Sequence, residues 1–250
     1  VDALVADADV VIHLAFIVLG SHEESERVNV AGTRNVFEAT VAAPRPTRLV
    51  YTSSVAAYGY HADNPVPLTE QTSVRGSGEH YYSQQKAACE AVLTEITADS
   101  DVEVLVLRPC IVAGPKATAL ADAVPWGQLP LVPDPGTPLQ LVHHDDVAAA
   151  IALAASGSAP AGAYNIAGDG EITLSDVATA LGGRSMRVPA ATATIASAVI
   201  ARIPFSPSSV EWVHFGRTSI VMDTSKAKAV LGWTPRYSAA ETLAALAASL

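Results

Sequence analysis

Arg48 to Gly59 reads RLVYTSSVAAYG, and this stretch decides the fold. Arg48 to Thr52 (RLVYT) reads as a strand buried within a parallel sheet. Hydroxyls follow at once, with Ser53 and Ser54 just past its carboxyl end. Ligands of open α/β sheets bind outside that end of the strands. A serine placed there can hydrogen-bond a substrate oxygen; it can equally cap the strand end through local bonds.

Outward from this stretch, strands and helices alternate. Asp9 to Leu14 (DVVIHL) is a continuous apolar run with polar flanks, read as another buried strand. Glu23 to Ala43 has helical spacing, with Val28, Val30, Val36 and Phe37 apolar, and stops before Pro44. After a turn-rich stretch with Pro65 and Pro67, Tyr81 to Ala98 is helical, and Val102 to Leu107 (VEVLVL) is a third strand stopped by Pro109. Strand, helix, strand, helix, strand at these lengths gives an α/β fold with a parallel sheet.

The second half has a different texture. Pro115 to Pro138 is rich in Pro, Gly and Ala and is expected to hold a short helix and a mobile loop. Asp145 to Ala155 reads as a helix and Ala163 to Ile166 as a short strand. Thr173 with Asp176 opens another helix that Gly182-Gly183 ends, and Ser238 with Glu241 opens the last one. There is no internal repeat.

Tyr82-Ser-Gln-Gln-Lys86 sets a phenol and an ammonium one turn apart on one face of the predicted helix. A nearby positive charge favours the phenolate of a tyrosine whose ordinary pKa is about 10, making it usable as a general acid or base. Lys86 could also hold a cofactor ribose through its other N–H donors. By itself the spacing is weak, because such pairs are common on solvated helices. Strand, serine pair, helix and Tyr/Lys pair in this order are harder to obtain by accident.

Bulk properties narrow the classes. The chain has 250 residues, half of them hydrophobic and only 16% charged, so it can bury a large core. Its formal charge is −10 with no basic cluster, which argues against nucleic-acid binding. Cys89 and Cys110 have no metal-ligand spacing, so no metal is expected, and they suit a reducing, cytoplasmic setting. No segment reaches the roughly 18 apolar residues a membrane helix needs; Ala190 to Ala201 reads as a packed helix.

These features resemble the extended short-chain dehydrogenases/reductases, the NAD-dependent epimerase/dehydratase family. The matching segments are HLA (His13 to Ala15), NVAGTRNV (Asn29 to Val36), YTSSVAAYG, YSQQK, LRPCIVAGP (Leu107 to Pro115), LVHHDDVA (Leu141 to Ala148), YNIAG (Tyr164 to Gly168) and DTSKAKAVLGWTP (Asp223 to Pro235), in family order. The resemblance implies a Rossmann-type doubly wound parallel sheet with a smaller C-terminal substrate-binding lobe. The Rossmann part would be 1–115 and 139–168, the lobe 116–138 and 169–250. It also implies NAD or NADP as cofactor and a small-molecule substrate, with a homodimer as the candidate assembly.

Roles follow by position. Ser54 matches the substrate-polarising hydroxyl, Tyr82 the acid/base and Lys86 its partner, and Asn29 a residue supporting the cofactor side. Leu14 and Ala15 would pass beside the adenosine half of the dinucleotide. Thr52 and Ser53 would line its cleft, and Pro109, Ile111 and Val112 would flank the nicotinamide. Val55, Ala56, Trp126, His143 and Arg217 are the candidate substrate contacts.

Three departures shape the expected reaction. The family opens with a Gly-rich turn that holds the pyrophosphate on backbone N–H groups. None of the 16 glycines here falls in that pattern, so the N-terminal βα units are expected to be missing, and the chain as it stands is a candidate for an inactive piece. The family's 4,6-dehydratases carry acidic residues where this chain has Val55 and Ala56. Galactose-type epimerases carry an Asn where this chain has Ile111 and an Arg where it has Leu139, although Arg217 or Arg184 could substitute. The expectation is an NAD(P)-dependent oxidoreductase acting between a carbinol and a carbonyl carbon. The alternatives are a nucleotide-sugar epimerase and, in another class, a non-catalytic dinucleotide-sensing module.

Overall fold

The computed structural model describes residues 1–18, 22–78, 80–122, 126–128, 131–157, 159–189 and 218–250. A short helix α1 (Asp2–Val5) leads into strand β1 (Val10–His13). The helical segment after it comes in three pieces: α2 (His22–Ser25), a π-helical stretch Glu26–Ala31, and α3 (Gly32–Ala42). Strand β2 (Arg48–Thr52) follows, then a 3₁₀ turn Val55–Tyr58 and the long helix α4 (Tyr81–Thr97). Strand β3 (Glu103–Pro109) completes the alternation.

β1, β2 and β3 lie side by side in parallel, with β7 (Gly162–Ile166) beyond β3. Two small parallel pairs stand apart from this sheet. β4 (Ile111–Ala113) pairs with β6 (Leu141–His143), and β5 (Val132–Asp134) with β8 (Ser185–Arg187). Helix α5 (Ala119–Asp122) and a 3₁₀ turn Trp126–Gln128 occupy the Pro-rich stretch.

The sheet is covered on both faces. Leu49, Tyr51 and Val106 point to α3 and α4 and pack with Phe37, Cys89, Val92 and Leu93. Val50, Leu105 and Leu107 point the other way, into a larger core. There α6 (His144–Ala155) supplies Ala150 and Ala154. Tyr164, Ile166, Trp233 and the C-terminal helix Ala239–Ala247 complete it. Alternation along a strand requires this split, and it yields the doubly wound α/β architecture expected from the sequence.

Caps written into the sequence are present. Thr173 and Asp176 form a capping box on α7 (Leu174–Ala180), as do Ser238 and Glu241 on the last helix. Gly232 ends a π-helical turn, Ala227–Leu231, in the left-handed conformation. The predicted helix at Ala190 to Ala201 lies outside the described residues, as does Arg217.

Candidate active site

The carboxyl end of β2 and the first half of α4 build the site. Tyr82, Lys86 and Glu90 recur every four residues and so share one face of α4. That face looks at the strand ends: the Lys86 ammonium donates to the Thr52 carbonyl oxygen at 2.9 Å. One turn further, Glu90 accepts a bond from the Ser53 hydroxyl at 2.5 Å. The start of α4 is tied to the turn after β2 by the Ser83 hydroxyl, which donates to the Ala56 carbonyl at 2.6 Å.

Ser54 ends the extended run at φ −164° and caps that turn, its hydroxyl oxygen accepting the Ala56 N–H at 3.2 Å. The local cap and a substrate-facing role are compatible, because a hydroxyl that accepts one bond still has a proton to donate. Val55 and Ala56 are buried in this turn.

The loop after β1 closes the other side. Phe16 lays its ring over the Lys86 ammonium, 3.7 Å from Nζ to centroid, and meets the Tyr82 ring edge-on at 5.4 Å. Asn29 fixes this loop. Its amide oxygen accepts the Ile17 N–H at 2.7 Å, and its amide nitrogen donates to the Ile17 carbonyl and to Gln85 Oε1, each at 2.8 Å. Asn29 is fully buried within the π-helical stretch. Such π turns inside helices are frequent at functional sites, and here the turn carries the residue that joins the β1 loop to α4. Leu14 and Ala15, in the same loop, are exposed.

Burial dominates the electrostatics. It pulls the Lys86 ammonium down to about 7, against the pull of Cys89 and Glu90, which favour the charged form. Burial also lowers His13 to about 4, helped by the Lys86 charge, and the imidazole shares a 2.8 Å hydrogen bond with Thr33. The Lys86 ammonium lies 5.9 Å from the Tyr82 ring centroid.

The other candidate residues lie on several elements. Pro109 ends β3, and Ile111 and Val112 belong to β4, with Ile111 buried in the large core. Trp126 is also in that core, its indole N–H donating to the Leu120 carbonyl at 3.1 Å. His143 is buried, stacked on Tyr237 at 4.0 Å, and its Nδ1 accepts the Asp145 N–H. His143, His144 and Asp145 offer ligand atoms within 4.8 Å of one another, the one such group among the described residues. Asp145 is exposed there, and the three are simply consecutive at the start of α6.

Sequence reasoning missed Phe16, Gln85, Glu90 and Arg108. Glu90 had a signal: it continues the Tyr82–Lys86 stripe by one more turn. Arg108 was legible only as part of the LRPC segment, because its pairing with Glu90 joins β3 to α4 across space.

The family model described as "NAD dependent epimerase/dehydratase family" matches residues 1–167. The chain belongs to that family. An uncharacterised protein of Sinorhizobium fredii is 30% identical over 84% of this chain, and one of Mycobacterium bovis is 26% identical over 94%. The chain spans 54% and 64% of the length of these curated relatives.

Among solved structures, the chain resembles the Bordetella bronchiseptica enzyme WbmG in complex with NAD, with a TM-score of 0.70 and 22% identity. That match covers 96% of this chain and 71% of WbmG. It also resembles UDP-glucuronic acid 4-epimerase from Bacillus cereus in complex with NAD, with a TM-score of 0.74 and 16% identity over 99% of this chain and 76% of the epimerase. At these identities the likeness establishes the Rossmann-type fold.

A member of an NAD dependent family should offer polar groups to a ribose, and the strand end does. The Thr52 hydroxyl oxygen is buried without a hydrogen-bond partner, next to the carbonyl that Lys86 grips. A buried orphan hydroxyl is costly unless a ligand or water satisfies it. The orphan Thr52 hydroxyl and the Lys86 ammonium are polar groups of the kind a ribose takes up.

Proposed function

We propose that the protein is an NAD(P)-dependent oxidoreductase acting between a carbinol and a carbonyl carbon of a small substrate, with Tyr82 as general acid/base. The observation that carries this reading is the shared face of Tyr82 and Lys86 against the end of β2, where burial lowers the Lys86 pKa to about 7. A bound nicotinamide would supply the hydride acceptor or donor. Ser54 polarises the substrate oxygen through its hydroxyl proton while Tyr82 takes or returns the proton of that oxygen. Lys86 favours the phenolate and offers its remaining N–H groups to the ribose, beside the Thr52 hydroxyl. Asn29 does not touch substrate; it holds the β1 loop against α4.

Nicotinamide flanked by Pro109, Ile111 and Val112, and adenosine beside Leu14 and Ala15, complete the reading. The lobe formed by 116–138 and 169–250 would carry the substrate. The solved relatives bound to NAD favour NAD over NADP.

Epimerisation of a nucleotide sugar is the second reading, favoured by the named activity of the Bacillus cereus neighbour. Two observations favour simple oxidoreduction instead. Ile111 and Leu139 are both buried apolar residues of the large core, so neither position offers a polar group to a diphosphate.

Tyr82→Phe in the full natural chain tests the assignment. Turnover should fall by about 10²–10⁴-fold, the usual contribution of an acid/base group, with NAD affinity nearly unchanged. Retention of most of the activity would remove Tyr82 from the mechanism. A panel of carbonyl compounds followed at the NADH absorbance separates oxidoreduction, which accumulates oxidised cofactor, from epimerisation, which does not.

A further inference from the structure

A buried ion pair lies directly beneath the site. Glu90 Oε1 accepts Arg108 Nε at 3.0 Å and Oε2 accepts Arg108 Nη2 at 2.6 Å, with both side chains about nine-tenths buried. The same carboxylate accepts the Ser53 hydroxyl, one residue after the carbonyl that Lys86 holds. Arg108 also donates to the Tyr58 hydroxyl at 2.8 Å, and that hydroxyl donates to Asn165 Oδ1 on β7 at 2.7 Å. The network therefore joins α4, the ends of β2 and β3, the turn after Ser54, and β7.

Such a pair is an expensive way to join elements. Desolvating two charges costs several kcal/mol per ion, and apolar residues of similar volume often stabilise as well or better. Fold stability alone does not call for it here, and its location does suggest a use. Tyr82, Lys86 and Glu90 form one stripe, so the carboxylate stands one turn below the ammonium. The groups facing Lys86 are Tyr82, Cys89 and Glu90 from its own helix and the Thr52 carbonyl and Tyr51 ring from β2. Phe16 faces it from the β1 loop and His13 from β1. Of these, Glu90 is the one carboxylate, and it is the group paired with Arg108.

We propose that Glu90 is a positioning residue of the site: clamped by Arg108, it holds the end of β2 through Ser53 and sets a negative charge one turn from the Lys86 ammonium that partners Tyr82. This rests on the reading of Tyr82 as general acid/base. Arg108 fixes the carboxylate geometrically, so the charge that reaches Lys86 comes from Glu90 in one orientation.

The test reads Lys86 directly, without turnover. In the full chain, lysine ¹⁵N resonances are followed against pH, with Lys116, Lys226 and Lys228 as internal controls and Lys86→Arg for assignment. Glu90→Gln keeps the shape and an acceptor for Ser53 but removes the charge. Lys86 should then lose its proton at lower pH, its protonated-to-neutral ratio at pH 7 falling at least about threefold, where one pKa unit is tenfold. Glu90→Asp, which keeps the charge, should restore most of that loss.

Glu90→Gln leaves Arg108 buried and unpaired, and that variant can fail to fold. Glu90→Gln combined with Arg108→Met removes both charges; because the Arg108 charge opposes that of Glu90, Lys86 should shift in the same direction but by less. An unshifted Lys86 titration in either folded variant overturns the proposal, even if Tyr82→Phe is inactive. Conversely, an active Tyr82→Phe variant overturns the acid/base reading and leaves the measured coupling of Glu90 to Lys86 intact.

Discussion

The two faces of the central sheet are built differently. Under α3 and α4, the core that contains Leu49, Tyr51 and Val106 has titratable and polar groups set into it or at its edge: His13, Asn29, Lys86, Glu90 and Cys89. Under α6, Val50, Leu105 and Leu107 meet Ala150, Ala154, Tyr164, Ile166 and Trp233 in a larger, mainly apolar core. One face carries buried groups that want water, and the other can meet that cost by apolar burial. The difference teaches where stability and chemistry reside in this chain, and three measurements can break or sharpen it.

The largest expected effect is the pH response of the polar face. Lys86 titrates at about 7 in the fold against 10.5 for an ordinary lysine. Between those values the unfolded chain binds a proton that the folded chain does not, so stability rises with pH across that window. The full burial penalty therefore applies below about pH 7, and its total is on the order of 5 kcal/mol. His13, lowered to about 4 from 6.5, acts in the same sense between those two values, costing stability as pH falls. Lys86→Met should therefore be more stable than the natural chain at pH 6, with the advantage shrinking steadily towards pH 10. Urea unfolding at pH 6, 8 and 10 measures this; a difference that does not depend on pH would mean Lys86 keeps an ordinary ammonium.

Leu107→Ala probes the apolar face. Leu107 is fully buried, so the loss should be about 3 kcal/mol from lost transfer energy and the remaining cavity. No titratable group is removed, so the cost should be the same at pH 6 and pH 10. A cost below about 1 kcal/mol, or one that changes with pH, would show that the two faces are not independent.

How far the sequence foretold each face follows from how local each signal is. RLVYT, the YSQQK spacing and the capping residues act within a few positions, and strand β2, helix α4 and both capping boxes lie where they were read. The π-helical stretch at Glu26–Ala31 was read as plain helix. Its cause is tertiary: Asn29 reaches the Ile17 backbone and Gln85, and hydrophobic spacing carries no trace of that. Trp126 was equally ambiguous, because an aromatic residue in a Pro- and Gly-rich loop suits a ligand or a core, and here it packs in the core. The Glu90–Arg108 pair was illegible for the same reason as the π turn, since it depends on which strand lies beneath α4.

The smallest effect concerns a purely local device on the apolar side. Ser238 accepts the Glu241 N–H at 3.2 Å, and Glu241 accepts the Ser238 N–H at 2.8 Å, closing the box at the start of the last helix. That helix buries Leu243 and Leu246 in the large core, and its first turn presses on Gly168. A Cβ at Gly168 would come within 2.6 Å of the Leu141 carbonyl oxygen and 2.9 Å of the Tyr237 carbonyl oxygen. The helix start is thus fixed by packing as well as by its cap, so removing the cap cannot let it drift. Ser238→Ala should cost about 1 kcal/mol, the usual value of an N-cap hydroxyl. The Ser238 bonds hold the Glu241 carboxyl below its ordinary range, so it stays ionised from pH 6 to pH 10 and the cost should not change there. A loss well above about 2 kcal/mol would mean that the helix start depends on its cap rather than on the packing around Gly168.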